Sequence, residues 1–281
     1  MTIKNSRHIG AIICPNCGKL INANSKACIH CGLKYPGQQN LPNKLLNLIN
    51  NQIGFSRAVI YVCSGLYLIS IIIDPSGLLM SNSIFDLFSP SLEALNKLGM
   101  TGSYAISNGR PWTLITAIYL HGSLLHILFN MLWVRQLGPA VQELFGISRL
   151  VLIFTLSGVF GFVMSNFMGT GFTIGASGSI FGLLGALIFY GKDRGGFFGR
   201  ALFRQLISWA IIMMIFGFLS PGIDNWAHAG GFAGGYITAQ LSGYTEKRPE
   251  KLTHKNIAAA CIIVTFICFL LAFWVGFVQR A

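Results

Sequence analysis

Four residues of this chain have the types and spacing for acyl-transfer chemistry. Ser177 lies in Gly175-Ala176-Ser177-Gly178-Ser179-Ile180-Phe181-Gly182, among small residues near the start of a long apolar run. A hydroxyl there is unfavourable unless hydrogen-bonded and useful if it reacts. To become a nucleophile it needs a base. His228, in Ala227-His228-Ala229-Gly230-Gly231, can take its proton and later return it to a leaving group. Acyl transfer also needs donors aimed at the developing oxyanion. The side chains of His126 and Asn130, with the backbone N–H of Ser177, could supply them.

Helical spacing sorts these residues. His126 and Asn130 are four apart and share one face, whereas His121 falls about 140° from His126 on a continuous helix. His121 reads equally as an outer-end structural hydrogen bond or as a binding group. Gly231 and Gly235, at i+3 and i+7 from His228, leave the imidazole's face bare, so that a neighbouring helix can come close; Gly178 and Gly182 offer the matching surface beside Ser177. Phe181, one turn after Ser177 on the same face, is placed to stack on His228 and orient it. No carboxylate lies in these runs, because Asp224 belongs to the outer loop before His228. The expected unit is a Ser/His dyad oriented by packing.

Composition says what must hold them. The chain has 281 residues, 53% hydrophobic and only 10% charged, with mean hydropathy +0.62; soluble domains carry about a quarter charged residues. It reads as an all-α polytopic membrane protein. Apolar runs long enough to span a bilayer lie at 55–73, 113–137, 149–168, 174–190, 202–219, 226–242 and 257–278. Seven spans put the termini on opposite sides. With the amino terminus inside, seventeen of the twenty Lys and Arg residues fall inside and only Lys97, Arg110 and Arg280 outside. The formal net charge of +12 is then a topology signal, and no nucleic-acid partner is needed to explain it. The polar start shows no cleavable signal peptide, so the amino terminus is expected to be cytoplasmic and the carboxy terminus outside. The long outer segment at 74–112, which includes Ile84-Phe85-Asp86-Leu87-Phe88, is expected to form short amphipathic helices at the membrane surface. His8 and His254 read as solvated.

Depth decides whether the four groups can meet. Ser177 is ~22 Å above Lys192 along a helix, His228 ~22 Å above Gly243, and His126 ~20 Å above Pro139. In a hydrocarbon layer ~30 Å thick, all lie in the outer half, ~10 Å below the external surface. A proton-relay transporter would spread titratable groups along the whole span, and these stop in the outer half.

A second constellation precedes the membrane part. Cys14-Pro15-Asn16-Cys17 and Cys28-Ile29-His30-Cys31 are two Cys-x-x-Cys knuckles, each followed by glycine, Gly18 or Gly32. Four thiolates at this spacing read as a structural zinc ribbon, with His30 a bystander; the reading to beat is a pair of disulfides, which a reducing cytoplasm opposes. Cys63, Cys261 and Cys268 lie in apolar runs and read as small buried hydrophobes.

The combination His121-x-x-x-x-His126-x-x-x-Asn130, then Gly175-Ala176-Ser177-Gly178, then Ala227-His228-x-x-Gly231-x-x-x-Gly235 resembles the rhomboid family of intramembrane serine proteases, over most of residues 55–243. The resemblance implies a six-helix core and a catalytic dyad of Ser177 and His228. It implies an oxyanion hole lined by His126, Asn130 and Ser177, no catalytic cofactor, and a water-filled cavity open to the outside. The implied activity is cleavage of transmembrane protein substrates near the outer ends of their helices, in what is expected to be a bacterial inner membrane. The competing reading is a catalytically silent relative that binds membrane proteins. Two departures stand out: Arg110-Pro111-Trp112-Thr113 replaces a Trp-Arg pair common in the family, which leaves first-loop contacts open, and Phe181 stands where some members have tyrosine. The expected organisation is a zinc ribbon at 1–36, a linker at 37–54, the core at 55–243, a cytoplasmic loop at 244–256 and a seventh helix at 257–278.

Overall fold

The computed structural model describes residues 10–38, 54–80, 86–220 and 222–279. Outside the described residues lie nearly all of the expected linker, the charges Lys4, Arg7, Lys44 and Arg280, His8, and residues 84 and 85 of the first loop.

The amino-terminal unit is built on a two-stranded antiparallel ribbon, β1 (Ala11–Ile13) and β2 (Leu20–Asn22), with Ile12 opposite Ile21. Its small core comprises Cys14, Ile21 and Cys28, flanked by Ile12, Cys17 and Leu33. A unit this small lies below the size at which burial alone sustains a fold, about 40 residues, and needs a staple.

The rest is helical. α1 (Phe55–Ile73) leads through a 3-10 segment into three short helices, α2 (Leu92–Lys97), α3 (Ser103–Ser107) and α4 (Thr113–Thr116), the last continuing as a 3-10 turn over Ala117–Tyr119. Six long helices follow: α5 (Leu124–Phe145), α6 (Ile147–Phe167), α7 (Ser177–Arg194), α8 (Gly196–Leu219), α9 (Asn225–Ser242) and α10 (Leu252–Phe273), which ends in a π-helical turn, Trp274–Val278. The chain is thus an all-α integral membrane protein, with six long core helices, a seventh after them and the cysteine ribbon in front. The first loop does form short helices; Ser91 caps α2 by accepting from Ala94 N–H at 3.1 Å. Arg110 makes the contact its departure left open, donating Nη2 to Asn96 Oδ1 at 2.8 Å.

By length and composition α1, α6, α8 and α10 suffice to cross a bilayer, and α4 with α5 makes a fifth as one bent pair. α7 and α9 are less apolar because they are glycine-rich and packed among other helices, so lipid does not select their outer faces. They form the centre. A Cβ at Gly231 would overlap the Gly178 carbonyl, and one at Gly235 the Gly182 carbonyl. On its other side α9 lies against α6, where a Cβ at Gly230 would press on Met164 and Gly161.

The expected continuous helix over 113–137 is corrected by the structure. α4 and α5 meet at 91°, with Leu120 extended and Ser123 accepting from His126 N–H to start a new helix. Ser123 is a better N-cap than an interior residue.

At the amino-terminal end of α6 one carboxylate ties the segment before α10 to that helix. Glu250 accepts from Ser148 N–H (2.7 Å) and Arg149 N–H (3.1 Å), capping α6. The buried Arg149 side chain in turn donates to the carbonyls of Phe145, Arg248 and Pro249. The ribbon touches this end: Leu252 N–H donates to Asn16 Oδ1 at 3.2 Å. His254 is not simply solvated, since its Nδ1 accepts from Lys251 N–H at the start of α10.

Candidate active site

Ser177 is the first residue of α7 and is half-buried, while the residues after it are buried. Its N-cap, Ala176, makes no side-chain bond, so the positive end of the helix is left bare beside the hydroxyl. The chain enters through Gly175, at φ +119°, whose N–H donates to Ala117 O at 2.9 Å. A Cβ at 175 would lie 2.6 Å from His126 Nε2, so glycine is needed for both its backbone angle and its missing side chain.

His126 is held by the bend. Its N–H goes to Ser123 Oγ, and its Nδ1 accepts from Gly122 N–H at 3.4 Å. A ring nitrogen that accepts carries no proton, so the neutral ring bears it on Nε2, the atom beside Gly175. Asn130, one turn later and buried, donates Nδ2 to the His126 carbonyl at 2.7 Å. That leaves its second Nδ2–H, and its Oδ1 has no protein partner among the described residues.

His228 sits in the first turn of α9 and is 7% exposed. Its ring stacks on Phe181, centroids 4.3 Å apart and planes at 19°. Because the Gly178 backbone meets Gly231, the serine and the imidazole stand at the mouth of one helix contact. His228 Nδ1 is buried without a protein partner among the described residues. His121 is corrected: it is not at another phase of the same helix but in the bend, fully buried, its ring 5.0 Å from that of His126 at 66°. Its ring packs edge-on against that of His126.

Sequence reasoning passed over Asp224. It is the N-cap of α9: Oδ1 accepts from Ala227 N–H at 3.0 Å, and Oδ2 accepts from Ser165 Oγ on α6. The signal was present, since an aspartate three residues before an apolar helical run is an N-cap pattern. Only folding brings Ser165, 59 positions away, to it.

In the ribbon the Sγ atoms of Cys14, Cys17, Cys28 and Cys31 all lie within 4.8 Å of one another. Two pairs, Cys14 with Cys31 and Cys17 with Cys28, are at 3.7 Å. Tetrahedral zinc at ~2.3 Å from each sulfur gives S···S of about 3.8 Å. All four are free thiols, not the alternative disulfides. The knuckles repeat: Gly18 and Gly32 N–H groups bond the Cys14 and Cys28 carbonyls at 2.9 Å, with φ near +72°. Asn16 donates to Cys31 Sγ at 3.5 Å, and this bond, with the Leu33 N–H, holds the Cys31 thiol down at about 6. Cys17, though its thiolate gains the Lys19 N–H, is pushed up to about 12 by burial and by crowding against the other thiols. Four such thiolates need a cation between them, so the set fits a metal ion. His30 offers its backbone N–H to Cys28 Sγ and is no ligand.

Fold and site together define a class: a polytopic helical membrane protein whose two glycine-rich central helices, one begun by Ser177 and the other carrying His228 in its first turn, close on each other backbone to backbone. Residues 108–245 match the Rhomboid domain. The chain is 36% identical over 155 residues to the rhomboid protease GluP of Bacillus subtilis, covering 55% of this chain and 31% of that protein. It is 31% identical over 150 residues to the putative rhomboid protease YdcA of the same organism, covering 51% and 73%. To RHOMBOID-like protein 5 of Arabidopsis thaliana it is 34% identical over 156 residues, covering 54% and 50%. The chain belongs to the rhomboid family. It spans a third to a half of the length of GluP and the plant relative, and nearly three quarters of YdcA.

Proposed function

We propose that this protein is an intramembrane serine endopeptidase acting on transmembrane protein substrates. The observation that supports this reading is the stacking of the His228 imidazole on Phe181, one turn after Ser177 on a helix whose start is uncapped. Ser177 Oγ attacks the scissile carbonyl carbon while His228 takes the hydroxyl proton. The oxyanion receives the N–H groups of the first turn of α7, His126 Nε2–H and the remaining Asn130 N–H. His228 then protonates the leaving amine, and a water, deprotonated by the same imidazole, hydrolyses the acyl-enzyme and frees Ser177. No cofactor is needed. The substrate helix must unwind locally to expose the bond, which favours small or helix-breaking residues there.

The same reading puts the amino terminus in the cytoplasm of a bacterial inner membrane and the site toward the outer face, because the basic residues gather on one side. It takes 1–36 as a zinc ribbon held by Cys14, Cys17, Cys28 and Cys31, 37–54 as linker, 55–243 as protease core, 244–256 as a cytoplasmic loop and 257–278 as the added span. When bound, the zinc staples the ribbon and takes no part in hydrolysis. The test is labelling by a serine-reactive fluorophosphonate together with cleavage of a model transmembrane substrate in liposomes. Both are expected in the wild type and lost in Ser177→Ala and His228→Ala; cleavage persisting in either folded variant overturns the dyad.

A further inference from the structure

The two groups of the proposed dyad both sit in the first turn of a helix, yet they need opposite electrostatics. Ser177 starts α7 and His228 lies in the first turn of α9. A helix amino terminus carries roughly half a positive charge, which favours an anion and opposes a cation within that turn. On α7 this suits the chemistry, because the oxyanion forms there, and the N-cap Ala176 leaves the helix end unscreened. On α9 it is adverse, because His228 must become an imidazolium when it accepts the serine proton. The two helix ends are finished differently. α9 alone of the pair has an acidic cap, Asp224, one turn before His228 and linked to it by the His228 N–H to Asp224 O bond at 3.2 Å.

We infer that Asp224 is a positioning residue for the reaction: its carboxylate offsets the positive end of α9 so that His228 can carry a proton in the transition state, and its bond from Ser165 fixes that helix end against α6. The inference rests on the proposed hydrolase reading. Both oxygens of Asp224 are placed by partners, Oδ1 by Ala227 N–H at 3.0 Å and Oδ2 by Ser165 Oγ. The charge therefore sits at the cap, one turn above the imidazole. Besides His228, the titratable side chains of the proposed site and its cap are this carboxylate, on the same helix, and His126 on α5. α7 presents Phe181, and α6 presents Gly161 beneath the Ala227 carbonyl, neither of which titrates. The negative charge that favours imidazolium thus comes from Asp224 alone among these groups.

The substitution Asp224→Asn separates charge from cap, since asparagine caps a helix about as well as aspartate. With the charge gone, protonating His228 is harder. The plateau kcat is expected to fall about tenfold, and the acid limb of the kcat profile, set by neutral His228, to move about one unit to lower pH, with the thermal midpoint nearly unchanged. Asp224→Glu keeps the charge but loosens the cap; it should be less heat-stable yet keep the wild-type acid limb. A wild-type kcat and profile in Asp224→Asn, or an acid limb that follows thermal stability rather than charge across the variants, overturns the inference. Nitrogen NMR titration of the His228 ring in micelles, assigned by its loss in His228→Ala, reads the coupling without catalysis. If the wild type cleaves nothing, the hydrolase reading fails, while a ring titration that moves down in Asp224→Asn still supports the electrostatic role and an unmoved one rejects it.

Discussion

Phe181 lies flat against His228, ring centroids 4.3 Å apart, on the turn of α7 between the Gly178 and Gly182 contacts that hold α9 in place. The base of the proposed dyad is therefore oriented by a hydrocarbon surface, because among the described residues its Nδ1 has no carboxylate to hold it. Stacked aromatic pairs contribute about 0.5–1.5 kcal/mol beyond area burial.

Replacing Phe181 tests that orientation. Phe181→Tyr keeps the ring and is expected to keep most of the activity. Phe181→Leu should lower kcat about tenfold with little change in KM, the size of ~1.4 kcal/mol lost from orientation. Steady-state cleavage in liposomes measures both, and an equal loss in kcat for both variants would place the effect elsewhere.

The glycine contact is expected to tolerate nothing larger. A Cβ at Gly231 or Gly235 overlaps a backbone carbonyl of α7, which no side-chain rotation relieves. Gly231→Ala should destabilise by about 1–3 kcal/mol and separate Ser177 from His228. Thermal unfolding in detergent should show a lowered midpoint, and fluorophosphonate labelling should fall with it. Gly65→Ala, at a position with open space on α1, is the control and should leave both unchanged.

The Glu250 strap at the start of α6 should govern stability rather than chemistry. Glu250→Ala removes the acceptor of Ser148 and Arg149 N–H groups, a cap deletion of about 0.5–2 kcal/mol. The expected result is a lower unfolding midpoint with kcat within about twofold of wild type once folded protein is compared. A large loss of kcat at unchanged stability would contradict this.

For the ribbon, metal analysis should return about one zinc per chain, lost on replacing Cys14 and Cys31. Thiolates bind and thiols do not, so acidification, by protonating the four cysteines, should release the metal. Chelation should also weaken hydrogen-exchange protection at the Leu252 N–H, which bonds Asn16 inside the first knuckle.

Much of this was legible in the chain itself. Hydropathy marked α1, α6, α8 and α10 most strongly and the buried, glycine-rich α7 and α9 less so, and the spacing of His126, Asn130, Gly231 and Gly235 around their helices marked the inward faces. The two Cys-x-x-Cys-Gly knuckles announced the ribbon because a four-thiolate site imposes local turns, which are written in consecutive residues.

What the residues in order did not disclose was long-range or bent. The 91° break before α5 hid inside a continuous apolar run, since hydropathy reports exposure to lipid and is blind to direction; it moved His121 behind His126 and turned His126 Nε2 toward Gly175. The bond from Ser165 to Asp224 and the reach of Glu250 to α6 join residues 59 and about 100 positions apart, pairings that no helical period encodes. Residue types and periods determined the chemistry at hand and the faces that carry it, because those depend on neighbours within a turn or two. Which helix ends meet, and what charge caps each, was decided only when the backbones closed on one another through their glycines.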